Sequence, residues 1–184
     1  MYKKKELLEK ISNIFKKHKF GSKEAKISAE VIINAELVGA PSHGVSRLKM
    51  YCDRIKKKLI NPKAKINIKK ISKSISLVNA NNSIGFVAAD IGIKQAIINA
   101  KKTGIGLVGV RNSGHYGLSS YFIEKAVNKN LIAICFTNAP PAIAPYGAKK
   151  SLFGTNPIAF GFPSFKKKPF IFDSSMSKIN RGKI

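Results

Sequence analysis

Residues 105–122, IGLVGVRNSGHYGLSSYF, constrain the fold more than any other stretch of the chain. An apolar run rich in β-branched residues (Ile105, Val108, Val110) predicts a buried strand. The run gives way to Arg111-Asn112-Ser113-Gly114-His115-Tyr116-Gly117, and a helical pattern begins at Leu118. Strand, glycine-bearing loop, helix is the order in which α/β proteins set a ligand at the carboxyl end of a strand. The loop holds a histidine, the side chain best suited to trade protons near neutral pH. The stretch reads as part of an active site, with the remainder of the chain as its support.

Upstream, Leu7, Leu8, Ile11, Ile14 and Phe15 recur at helical spacing and predict an amphipathic helix over 3–18. Ser22 is the expected cap of a second helix reaching about residue 38. His18, among lysines at the end of the first helix, reads as a surface residue. Gly39-Ala40-Pro41-Ser42-His43-Gly44-Val45-Ser46-Arg47 follows. With Ser42 as cap, a third helix to about residue 57 places His43 and Arg47 on one face. An imidazole beside a guanidinium suits a substrate whose carboxylate neighbours a reactive carbonyl, because the planar fork holds a carboxylate through two parallel bonds. Only four of the 34 basic residues are arginine, and Arg47, Arg111 and Arg181 all fall in polar motif segments. Where lysine serves for plain charge, these positions are expected to need the fork.

Ile66 and Ile68, then Ile75, Leu77 and Val78, predict two strands with a turn at 72–74. Residues 85–102 read as a helix, with Asp90 near its positive end. Gly104-Ile105-Gly106-Leu107-Val108-Gly109 matches GxGxxG literally, but a dinucleotide fingerprint must follow a strand and open a helix, and these glycines enter and lie inside a strand. The match is rejected. Beyond the central loop come a short helix over 118–128 and a second buried strand over 131–136, expected to pair parallel with the first through a short crossover. Strands over 158–162 and 170–172 follow. Asp173-Ser174-Ser175 ends the last of them, where serines offer hydroxyls and amides to a phosphate at a helix start.

A formal charge of +25 over 184 residues points first to nucleic acid or an anionic surface. The lysines are scattered through every segment, however, and clusters such as Lys56-Lys57-Lys58 and Lys166-Lys167-Lys168 fall at expected turns. No specific nucleic-acid partner is expected, and no apolar stretch is long enough to span a bilayer. Cys52 and Cys135 fit no metal or redox spacing, so no metal site is expected. A reducing, cytoplasmic setting is the reading, with Cys135 as a small core residue. No apolar signal region precedes the first helix.

Taken together, GAPSHGVSRL (39–48), RNSGHYG (111–117), APYGAKKSLFGTNPIAFGFP (144–163) and FDSSMSKINRGKI (172–184) resemble the malate/L-lactate dehydrogenase family, which includes ureidoglycolate and sulfolactate dehydrogenases. The resemblance implies an α/β chain: an N-terminal helical, substrate-side region (1–60), then a partial mixed or parallel sheet with helices (61–184) in a non-classical NAD(P)-binding fold. It implies a nicotinamide-dependent oxidoreductase interconverting a 2-hydroxy acid and a 2-oxo acid, with NAD favoured over NADP. Carried over by motif, Ser42 and His43 serve proton relay and donation, and His115 is the other proton-transfer candidate. Arg47 and Thr155 take the substrate. Tyr116, Gly117, Leu118 and Ser119 line the cofactor, and Asp173, Ser174 and Ser175 contact the nucleotide. Many relatives read Asp-Met-Ala where this chain has Asp173-Ser174-Ser175, and some carry an acid at the position of Lys183. Family members are considerably longer, so the chain reads as an N-terminal half, a homodimer when full length. Two alternatives follow from other features: a truncated, non-catalytic remnant, and a basic nucleic-acid binder.

Overall fold

The computed structural model describes residues 2–165 and 168–177, which form two compact units, unit 1 ending at Gly117 and unit 2 beginning at Leu118. Unit 1 opens with helices α1 (Lys4–Lys17) and α2 (Ser22–Leu37), which pack on each other. Their apolar stripes bury Ile11, Phe15, Val31 and Ile32 almost completely. Gly21, not Ser22, stands at the cap of α2, and no side chain caps that end. Two single 3₁₀ turns, Pro41–His43 and Val45–Arg47, then lead into α3 (Leu48–Lys56). The third helix therefore starts five residues later than the Ser42 cap predicts, with Arg47 at the cap. Pro41 contributes no amide, and the tight turns hydrogen-bond internally: the His43 amide donates to the Ala40 carbonyl and the Gly44 amide to that of Pro41.

Strands β1 (Asn67–Lys70) and β2 (Ile75–Asn79) form the expected hairpin, antiparallel with Ile68 opposite Val78. Helix α4 (Gly85–Thr103) then crosses to β3 (Leu107–Arg111), which pairs parallel with β2, Val78 opposite Val110. The sheet order is β1-β2-β3. Helix α4 packs against both β2 and β3. The Asn99 amide donates to the Ser76 hydroxyl at 3.1 Å and to the Ser74 carbonyl at 3.2 Å, tying helix to strand. Asp90, expected to favour the helix dipole, lies well inside α4, 1% exposed, and its carboxylate pairs with Lys94 at 2.6 Å. Gly104 closes α4 at φ 81°, and a side chain at Gly106 would run into the Ala96 carbonyl. These glycines serve helix closure and close packing, so the GxGxxG match is not a phosphate cradle.

Unit 2 holds α5 (Ser119–Val127) and a second sheet of β4 (Ala133–Phe136), β5 (Ile158–Phe162) and β6 (Phe170–Ser174), all antiparallel with β5 central. Helix α5 rests on β5, where Ala159 and Gly161 are buried; a Cβ at Gly161 would press on Ile123 and Val127. This packing corrects the expected parallel pairing across α5. The strand before α5 and the strand after it join different sheets, and the parallel crossover of this chain is β2–α4–β3 instead. Burial corrects a second expectation. Leu107 and Val110 of β3 are substantially exposed, as are Ile132, Ile134 and Phe136 around β4. In β4 only Ala133 is buried and Cys135 is half-buried, so the uniform apolar run follows the two-residue alternation of a sheet with one covered face. The helix expected beyond Asp173-Ser174-Ser175, with Arg181 and Lys183, lies outside the described residues, as do Lys166 and Lys167.

Candidate active site

Three elements of unit 1 bring its chemistry together. The first is the turn pair after α2. Glu36, from the last turn of α2, accepts the Val45 amide at 2.7 Å, and its carboxylate fills the space that a side chain at Gly44 would need. This anchor fixes the segment that carries Ser42, His43 and Arg47. Within it the Ser42 hydroxyl and His43 Nδ1 are hydrogen-bonded at 3.0 Å, and Arg47 Nε donates to the Ser42 carbonyl at 2.7 Å. His43 and Arg47 thus meet through Ser42 rather than through a shared helical face, which corrects the one-helix expectation.

The second element is the loop after β3. The Ala80 and Asn82 amides donate to the Arg111 and Asn112 carbonyls at 3.0 and 2.8 Å, and Asn112 takes a left-handed conformation that turns the chain back. The loop then lies on the first turn of α4 so closely that a Cβ at Gly85 would collide with the carbonyls of Gly114 and His115. Gly117, at φ 82°, fits against Val31 and Phe86. Glycine is required at both places, one for approach and one for conformation.

The third element is α3, which contributes a residue the sequence reading passed over. Tyr51 is 1% exposed, tilted against Phe86 with ring centroids 4.7 Å apart. Its hydroxyl lies 2.6 Å from His115 Nδ1. The rings of His43 and His115 stack at 5.6 Å with 24° between their planes. The structure therefore gathers Ser42, His43, Arg47 and His115 into one cluster. Burial pushes the Tyr51 hydroxyl up, away from ionisation. Burial of the imidazole, reinforced by His43, Arg47 and Arg54, pushes His115 down to about 4. The residue as a whole keeps an open side to solvent. Arg54, the one arginine outside the polar motifs, belongs to the positive surroundings of this imidazole.

In unit 2 the remaining predicted residues share one end of the second sheet. Ile158 stands opposite Ser174, and the Met176 amide donates to the Thr155 carbonyl at 2.9 Å, extending that ladder. Asp173 Oδ2 accepts the Ser120 amide at 2.7 Å and so closes the first turn of α5. Leu118 is the extended residue ahead of α5, and Ser119, 2% exposed, begins it. The Ser174 hydroxyl donates to the Ser175 carbonyl at 3.1 Å, and that of Ser175 to the Ser177 carbonyl at 3.2 Å. Tyr116 and Gly117 end unit 1. Among the described residues no group of three or more His, Cys, Asp or Glu could hold a metal ion.

The family model for malate/L-lactate dehydrogenase matches residues 2–184. The chain belongs to this family. Among malate/L-lactate dehydrogenase relatives, the L-sulfolactate dehydrogenase of Methanocaldococcus jannaschii is 39% identical over 174 residues, 95% of this chain and 50% of that protein. The (2R)-3-sulfolactate dehydrogenase (NADP(+)) of Chromohalobacter salexigens is 36% identical over 161 residues, 88% of this chain and 48% of that protein. The structure of malate dehydrogenase from Pyrococcus horikoshii OT3 superposes with a TM-score of 0.94 at 38% identity, covering 98% of this chain and 51% of that one. The chain spans about half the length of the curated relatives it matches. Among the described residues, no helix is long and apolar enough to cross a membrane.

Proposed function

We propose that this malate/L-lactate dehydrogenase family chain carries the substrate-side chemistry of a nicotinamide-dependent oxidoreductase that interconverts a 2-hydroxy acid and a 2-oxo acid. The observation that carries the reading is the cluster of Ser42, His43, Arg47 and His115, drawn from distant parts of the chain. Arg47 spends Nε on the Ser42 carbonyl, which orients its Nη edge as the fork for the substrate carboxylate. His43, hydrogen-bonded to Ser42, and His115 are the groups that hold or move the proton at the hydroxyl oxygen. Thr155 as a substrate contact is proposed on the resemblance alone.

The nicotinamide cofactor, when bound, supplies or accepts the hydride. The donor set of unit 2 fits such a group: Asp173 Oδ1 remains as an acceptor for a ribose hydroxyl, and the Ser174 and Ser175 hydroxyls keep lone pairs after donating to nearby carbonyls. The Asp173 carboxylate already closes the first turn of α5, so that turn is not the phosphate site in this proposal. Tyr116, Gly117, Leu118 and Ser119 are proposed to line the cofactor, with residues 1–60 serving the substrate and 61–184 the nucleotide. NAD as the preferred coenzyme, a homodimer and a cytoplasmic setting are proposed on the resemblance alone.

The test is oxidation of NADH and NADPH with a panel of 2-oxo acids, including oxaloacetate, pyruvate and sulfopyruvate, by the longest product of the gene that contains this chain. Turnover with at least one acid supports the reading; no turnover with any acid and either coenzyme overturns it.

A further inference from the structure

His115 Nδ1 is approached by two groups at once. The Tyr51 hydroxyl lies 2.6 Å away and the Gly117 amide 3.2 Å away. A backbone amide can only donate, so Nδ1 must accept, and the ring proton then sits on Nε2. The Tyr51 hydroxyl consequently donates as well. Tyr51 is buried, braced on Phe86, and mounted on α3, while Gly117 is fixed by its left-handed conformation against Val31 and Phe86. Both donors are thus rigid, and they hold the ring from one side. The charged or titratable groups around this imidazole are Tyr51 and Arg54 of α3 and His43 and Arg47 of the turn pair. The first turn of α4 brings Gly85 against the His115 backbone and Phe86 against the Tyr51 ring.

We propose that Tyr51 is a positioning residue of this site: with the Gly117 amide it locks His115 as the neutral Nε2–H tautomer, so that His115 presents a fixed hydrogen-bond donor to the carbonyl oxygen of the guest instead of cycling through an imidazolium. The proposal rests on the oxidoreductase reading for its purpose, but the tautomer itself is a property of the chain. A neutral imidazole that polarises a carbonyl through one N–H gives up proton delivery in exchange for constant charge and fixed geometry.

The chain has three histidines, so the imidazole nitrogens are separable by two-bond proton–nitrogen correlation spectra of the ¹⁵N-labelled protein. His18→Gln and His43→Gln samples assign the other two rings. At neutral pH the wild-type chain is expected to show His115 with protonated Nε2 and bare, hydrogen-bonded Nδ1. Tyr51→Phe keeps the ring packing on Phe86 and removes only the hydroxyl; the His115 Nδ1 resonance is expected to move downfield while His18 stays in place. A protonated Nδ1 in the wild type, or an Nδ1 resonance that Tyr51→Phe does not move, would overturn the proposal. The wild-type spectrum decides the tautomer even if the variant fails to fold. Neither result depends on turnover, so a failed dehydrogenase assay and a wrong tautomer are separate outcomes.

Discussion

In unit 1 the polar residues of the site stand on buried supports; in unit 2 they stand at the end of a sheet with much of its apolar surface open. Tyr51, Phe86, Phe15 and Ile32 are all under 2% exposed, and the His115 loop and the Ser42 turn are clamped onto that core by Gly85, Gly117 and Glu36. Unit 2 buries Phe122, Ile123, Ala126 and Val127 of α5 and Ala159 of β5, yet leaves Phe136 at 72% and Phe170 at 57% exposure. Its aromatic rings stack along the sheet, Phe160 on Phe172 at 4.8 Å, without being enclosed. The difference separates two ways of holding a functional group. Unit 1 fixes side chains through close-packed apolar supports, whereas unit 2 fixes mainly backbone, through ladder bonds and the Asp173 closure of α5.

Substitutions can break or sharpen that contrast. The largest expected effect is on the support of unit 1: Phe15→Ala is expected to cost about 3–5 kcal/mol in denaturant unfolding. In the active enzyme, His43→Ala and His115→Ala should each lower turnover by at least about 10²-fold, the one as a positioned proton-transfer group and the other as a fixed hydrogen-bond donor to the reacting oxygen. Gly85→Ala forces a methyl into the His115 and Gly114 carbonyls. It should destabilise by about 1–3 kcal/mol and perturb the His115 resonances before those of His18. In the other direction, Phe136→Ser in unit 2 should change stability by no more than about 0.5 kcal/mol, as an exposed substitution does.

Acid sharpens the contrast further. The folded His115 lies below its ordinary value of 6.5, at about 4, so the unfolded chain takes up this proton first. The stabilisation is present in full above 6.5 and is lost as pH falls through the window from 6.5 toward 4. Unfolding midpoints measured across that window should fall with pH in the wild type and fall less in His115→Gln.

Much of this was legible in the residues. Helix α1 and strand β2 followed from apolar period, because each has one buried face, and α2, β1 and α4 from the glycine, serine and turn signals that bound them. Ser42, His43, Arg47 and His115 stood out by type and context, and the structure gathers them. What escaped was what depends on tertiary partners. Tyr51 occupies a buried helical position together with Ile55, four residues on, and so reads as core; a buried phenol needs a partner, and that was the available signal. Glu36 gave no local sign that its carboxylate would anchor a turn nine residues later. The runs at β3 and β4 misled because apolar content does not say how many faces of a sheet are covered. Their assignment to different sheets rests on the small residues Ala159 and Gly161 receiving α5, a feature far along the chain.

The most direct measurement compares the wild-type enzyme with His43→Gln, His115→Gln and the surface control His18→Gln in coenzyme oxidation with the preferred 2-oxo acid. Turnover that survives in the His18 variant and falls by at least about 10²-fold in each of the other two is the expected result. Wild-type turnover in both the His43 and the His115 variant would contradict the assignment of this cluster to the reaction.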